Sequence, residues 1–176
     1  MPIINKDNEP IKSIEGTINY YQEKKDIQLK CSKCQNNEME IETKIIGLPK
    51  ILIINFKRIG EQNFYNNEVE INMNLKMGEL IENKNYDNYK YELIGFIIHL
   101  GNELSGHNIA ICKNFFDDRW YQYNDSSVIY ISNDKVPKLL YNGFLFFYKW
   151  EGIKITEEKK KNLADIACKI RNQTFS

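Results

Sequence analysis

Two histidines and four cysteines carry most of the acid-base and nucleophilic chemistry open to this chain. His107 follows Leu104-Ser105-Gly106 and precedes Ile109-Ala110-Ile111, so it stands where a loop meets a strand, a place that can hold an imidazole firmly. His99 ends the apolar run Phe96-Ile97-Ile98 and reads as a partly buried, hydrogen-bonded histidine. A histidine serving as the base for a thiol needs a third group that fixes its tautomer, and an Asn or Asp on a neighbouring strand can supply it. Asn124-Asp125 offers both types at the end of Arg119-Trp120-Tyr121-Gln122-Tyr123. If that strand pairs with the one starting at His107, Asn124 falls close to the imidazole. The same Asn124-Asp125-Ser126 reads equally as an ordinary turn.

The cysteines fit the nucleophile's part less well. Cys112 is an odd number of residues from His107, which on a regular strand puts the two on opposite faces and roughly 16 Å apart. Cys168 lies late in a helical pattern, where the dipole raises a thiol pKa, so both read as packing residues. Cys31 and Cys34 have the spacing of one half of a zinc ribbon, whose second thiolate pair is not found elsewhere in the chain. A redox Cys-x-x-Cys is disfavoured, because a Lys-rich turn before a strand is not the helix N-terminus that activates a thiol.

The elements around these residues follow from hydrophobic periodicity. Ser13 caps a short helix with Ile14, Ile18 and Tyr21 on one face, weakened by Gly16. Alternation over Glu38–Ile46 predicts a half-buried strand, and the run Ile51-Leu52-Ile53-Ile54 predicts a strand buried on both faces inside a sheet. Residues 60–90 read as one strand near Val69, Ile71, Met73 and Leu75 flanked by loops. Then a meander of aromatic and β-branched strands is expected at Tyr91–Leu100, Asn108–Lys113, Arg119–Tyr123, Val128–Ile131 and Gly143–Trp150, with a helical turn in Lys135–Tyr141. A final helix behind Thr156 carries Leu163, Ile166, Ala167 and Ile170 at helical spacing and stands outside the sheet. The class is α+β, dominated by an antiparallel sheet.

Composition narrows the partners. With 24 basic and 24 acidic residues evenly spread, the chain has no electrostatic footprint for nucleic acid or an anionic membrane. Its apolar runs are far short of the about 20 residues that span a bilayer, and Met1–Asp7 lacks the pattern of a secretory signal, so an intracellular protein with reduced thiols is expected.

In their order, these pieces resemble the C-terminal part of the catalytic domain of ubiquitin-specific proteases. There a helix leads into a Cys-x-x-Cys like Cys31 and Cys34, and a Leu-Pro segment opens a strand ending in Lys-Arg, like Leu48-Pro49 through Lys57-Arg58. A Tyr-x-Leu strand ending in His-x-Gly resembles Tyr91-Glu92-Leu93 through His99-Leu100-Gly101. Gly-His-Tyr is matched by Gly106-His107, with Asn108 standing in place of the tyrosine. Trp120-Tyr121-Gln122-Tyr123-Asn124-Asp125 resembles the Trp-x-x-Tyr-Asn-Asp segment, and Leu145-Phe146-Phe147-Tyr148 the closing strand.

The resemblance implies the papain-like cysteine protease superfamily, here the antiparallel sheet of palm and fingers with a short N-terminal and a C-terminal helix. It divides the chain into an extension, 1–12, a catalytic-domain part, 13–150, and a helical tail, 151–176. It implies thiol-dependent hydrolysis of ubiquitin isopeptide bonds, with His107 as general base, Asn124 orienting it, Asp125 in the same cluster, and the loop from Gly101 to Gly106 over the ubiquitin tail. Cys31 and Cys34 would be half of a structural zinc site, and no other cofactor is implied. The family's nucleophilic cysteine and oxyanion asparagine belong to a box without a counterpart before Ser13. The expectation is therefore a chain that is inactive alone and completed by a separate chain, or a non-catalytic module that binds ubiquitin or another protein.

Overall fold

A computed structural model describes residues 1–58, 67–101 and 105–174, with the side chains of 84 and 166–174 excepted. Strand β5, Lys90–Gly101, is the spine of the molecule. It pairs antiparallel with β9 (Gly143–Trp150) on one side and β6 (Gly106–Lys113) on the other. The sheet continues through β3 (Ile51–Asn55) beyond β9, and through β7 (Trp120–Asn124) and β8 (Ser127–Ile131) beyond β6. The short β4, Asn74–Lys76, adds to β5 and completes seven strands.

The burial pattern of β5 changes phase midway. Tyr91 and Leu93 are buried in its first half, Phe96 and Ile98 in its second. The register slips between Leu93 and Gly95, and the bulge carries the apolar set from odd to even positions while keeping it on one face. Gly95 lies opposite Cys112, where an added Cβ would stand 3.2 Å from the sulfur. On the buried face Phe96 lies 6.2 Å from Trp120 and 6.3 Å from Phe146, ring centre to ring centre.

Helix α1, Ile14–Gln22, adds Ile14 and Ile18 to the same core. Ser13 caps it as expected, its Oγ accepting from the Gly16 amide at 3.1 Å. The buried stripe is Ile14, Thr17 and Ile18, whereas Tyr21 is turned out. Thr17 satisfies its hydroxyl on the Ile14 carbonyl and so tolerates complete burial. The first residues lie against the same body: Ile3 is fully buried, and the Lys57 amide donates to the Met1 carbonyl beside the end of β3.

Three expected elements are corrected. β3 is an edge strand, with Ile51 and Ile53 exposed at 42% and 56% while Ile54 is buried. A continuous apolar run does not reveal whether one or two faces are covered, because only the neighbours decide that. The strand foreseen over Glu38–Ile46 stops at Ile41, and β2 (Glu38–Ile41) pairs with an unforeseen β1 (Lys25–Gln28) in a separate two-stranded ribbon. Between 67 and 90, Val69 and Ile71 are buried without lying in a strand, and two short 3-10 turns, Met77–Glu79 and Lys84–Tyr86, follow β4. The part of that segment at 60–66 lies outside the described residues.

Two further helices complete the chain. The foreseen helical turn is α2, Val136–Leu140, which buries Val136 and Leu140. After β9 comes α3, Glu157–Thr174, capped by Thr156 Oγ1, which accepts from the Lys159 amide at 3.3 Å. The side chains of Ile166, Ala167, Cys168 and Ile170 lie outside the described residues. Among the described residues no helix is long and apolar enough to cross a membrane.

Candidate active site

The β6–β7 hairpin carries the only close imidazole–amide pair foreseen from the sequence. Ala110 faces Tyr123 and Lys113 faces Trp120, so the start of β6 approaches the end of β7. His107 Nε2 lies 2.5 Å from Asn124 Oδ1. An amide oxygen only accepts, so Nε2 carries the proton and Nδ1 keeps its lone pair. No hydrogen bond from a described residue reaches Nδ1, and His107 remains 44% exposed. The arrangement is an imidazole oriented by Asn124, whose other nitrogen meets no hydrogen-bond partner among the described residues.

Both readings of Asn124-Asp125-Ser126 hold together. Asn124 pairs with Ser127 across a two-residue connection, and Asp125 takes a φ of 50° at its first position. This turn ends β7 at Asn124 and swings the carboxylate of Asp125 outward, 3.9 Å from His107 Nε2. The distance is an ion-pair contact with a protonated ring, weaker than the Asn124 bond.

At the same end of β6, Gly101 and Gly106 form the closing pair of the β5–β6 connection, whose residues 102–104 lie outside the described set. Gly101 has a φ of 120°, and a side chain there would run into the Ser105 carbonyl. A side chain on Gly106 would run into the His99 ring. His99 itself pairs with Asn108, its Nδ1 2.9 Å from Asn108 Oδ1. The sequence reading foresaw a hydrogen-bonded His99 but not its partner, although counting back from the two glycines pairs the residues.

The cysteines divide by environment. β6 runs from Gly106 to Lys113 without a register shift against β5, so Cys112 faces away from His107, against Gly95, and burial pushes its thiol up. Cys31 and Cys34 occupy the turn between β1 and β2. The Cys31 thiol is lowered, chiefly by the backbone amide of Cys34, then by the amide of Lys33 and the Cys34 side chain. Here a tight turn, rather than a helix N-terminus, aims its own amides at the sulfur. Among the described residues no three His, Cys, Asp or Glu side chains come together around a metal. Two thiols from one turn fit one half of a tetrahedral thiolate site and need two ligands from elsewhere.

A charged cluster not foreseen from the sequence sits across β5, β6 and β9. Glu92 pairs with Lys113 and, at 3.5 Å, with Lys149. Burial pushes the Glu92 carboxyl up, but the two ammonium groups outweigh it and hold it below the usual range. A cleft of about 560 Å³ lies between the end of α1 and residues 42–46 and 79–83, and none of its lining residues belongs to the His107 cluster.

Residues 5–148 match the family described as ubiquitin carboxyl-terminal hydrolase. Ubiquitin carboxyl-terminal hydrolase 8 of Saccharomyces cerevisiae is 28% identical over 158 residues, covering 81% of this chain and 33% of the relative. Ubl carboxyl-terminal hydrolase 18 of Mus musculus is 24% identical, covering 75% of this chain and 40% of the relative. Among solved structures, a SAGA DUB module bound to monoubiquitin contains a chain that aligns with a TM-score of 0.66 and 25% identity, over 87% of this chain and 35% of that one. The chain thus spans about a third of the yeast relative's length. In sequence pattern and in sheet architecture alike, it belongs to the ubiquitin carboxyl-terminal hydrolase family.

Proposed function

We propose that this chain forms the histidine-bearing part of a thiol-dependent deubiquitinase. The observation that carries the reading is the bond from His107 Nε2 to Asn124 Oδ1, which leaves Nδ1 as the base. A thiol brought to that nitrogen would lose its proton there, and the thiolate would attack the carbonyl of a ubiquitin isopeptide bond. His107 is the general base, Asn124 the residue that fixes its tautomer, and Asp125 an acid that favours the ring once it is protonated. The connection from Gly101 to Gly106 would border the ubiquitin tail. The catalytic part is residues 13–150, flanked by the segments 1–12 and 151–176.

The nucleophile comes from outside this stretch of sequence. Cys112 faces the wrong side of β6 and is half-buried, with its thiol pushed up by that burial, and Cys31 and Cys34 sit on the separate two-stranded ribbon. A separate segment or chain would bring the thiol, and with it two further ligands to complete a zinc site at Cys31 and Cys34. The partner is ubiquitin or a ubiquitinated protein, as the module aligned above binds monoubiquitin. A second reading, a non-catalytic ubiquitin- or protein-binding module, is favoured by Asn108, which stands in the position of the family's tyrosine beside His107.

The test is reaction of the purified chain with ubiquitin carrying a thiol-reactive C-terminal group, alongside titration with unmodified ubiquitin. Binding without an adduct is expected. An adduct abolished by His107→Ala would overturn the claim of an external nucleophile, and no binding at all would overturn the ubiquitin reading.

A further inference from the structure

The face of β6 opposite His107 holds a second polar pair, whose histidine has no part in the proposed function. His99 and Asn108 are cross-strand partners, and successive side chains of β6 alternate, so Asn108 points away from His107. Several described neighbours hold the His99 ring. Asn108 Oδ1 lies 2.9 Å from its Nδ1, the Phe144 ring meets it edge-on with centres 6.5 Å apart, and its Cε1 and Nε2 occupy the space that a side chain on Gly106 would need. The ring therefore lies directly on the backbone of the residue preceding His107.

We propose that His99, held by Asn108, is a positioning residue for His107. The amide oxygen of Asn108 accepts only, which fixes His99 as the Nδ1–H tautomer and sets the plane of its ring. That plane is the floor on which Gly106 rests. Gly106 in turn fixes where β6 begins, and His107 is the next residue, aimed toward Asn124. Glycine at 106 follows from this contact: its φ is not in the left-handed region, and the space for a Cβ is filled by the imidazole. Asn108, where the resembling family has tyrosine, gives this chain its own way of holding the ring. The functional weight of the inference rests on His107 being the base proposed above, whereas the geometry does not.

With only two histidines, the full chain is suited to nitrogen-15 imidazole spectroscopy at a pH above both titrations, combined with amide hydrogen exchange. The wild type is expected to show His99 as Nδ1–H. Asn108→Leu removes the acceptor, shifts His99 toward Nε2–H, and speeds exchange of the Gly106 and His107 amides roughly tenfold, the scale of one lost hydrogen bond. Asn108→Asp keeps an acceptor and should restore both readouts, which a merely space-filling role would not do. A wild-type Nε2–H tautomer, unchanged exchange in Asn108→Leu, or failure of the aspartate to restore would each overturn the proposal. All of these are read on the free chain, so they are separate from the ubiquitin titration that tests the function itself.

Discussion

The β6–β7 hairpin and the β1–β2 ribbon are both short antiparallel pairs that carry groups able to do chemistry, yet they are held in opposite ways. The hairpin lies within a seven-stranded sheet, and its buried residues Ile111 and Trp120 pack with Phe96 and the main core. Its register, and so the approach of His107 to Asn124, is fixed by every row of side chains beneath it, since a one-residue slip would expose the whole set. The ribbon has no such floor. Ile27 and Met39 are only half-buried, Ile41 is exposed, and an exposed ion pair from Lys24 to Glu40 ties its base. What it holds is local: amides of the Cys31–Cys34 turn converge on one sulfur. A site requiring two distant residues to meet needs a sheet, whereas a site made within one turn does not.

That contrast breaks first at Trp120. Trp120→Ala opens a cavity under the hairpin and should cost about 3–5 kcal/mol by denaturant titration. An equally large effect from a ribbon residue would refute the comparison. Arg58 is the next largest lever. It is buried at 5% and donates to the carbonyls of Gly143, Tyr141 and Asn67, tying the end of β3 to the start of β9. Arg58→Met strands those carbonyls and should destabilise by about 2–4 kcal/mol in the same measurement.

Alkaline pH probes the sheet without mutation. Tyr91 is fully buried and donates to the Pro49 carbonyl, and burial, then Tyr89 and Tyr86, push its hydroxyl up to about 12. The folded state favours the neutral phenol, so this contribution is whole below the unfolded value near 10 and is lost as pH rises toward about 12. The melting temperature should fall across that window, and less steeply in Tyr91→Phe.

Smaller effects sharpen the ribbon's side. At neutral pH Cys31 should be alkylated faster than Cys112, which is half-buried with its thiol pushed up, with the two read by peptide mass mapping. The smallest expected change is Ile41→Ala, within about 0.5 kcal/mol of wild type, because the side chain already faces solvent.

Local chemistry was legible in the sequence wherever the cause is local. Ser13 caps α1 because its hydroxyl reaches an amide three residues on, and Asp125 turns the chain because a short polar side chain tolerates a positive φ. The meander was legible too: a turn between two alternating runs forces them to pair, which brought Asn124 within reach of His107 on paper. The bulge in β5 left a trace as well, in the phase change between Leu93 and Phe96.

Tertiary structure decided what depends on residues far apart in the chain. Whether Ile51 and Ile53 face protein or solvent is set by the place of β3 in the strand order, and no property of the run itself encodes an edge. Glu92 meets Lys113 and Lys149 only because three strands align their rows. His99 fills the space above Gly106 only because β5 and β6 close on Gly101. Side-chain type and spacing thus fixed which groups could do chemistry; the packing of distant strands fixed which of them meet, because burial and register belong to the whole sheet.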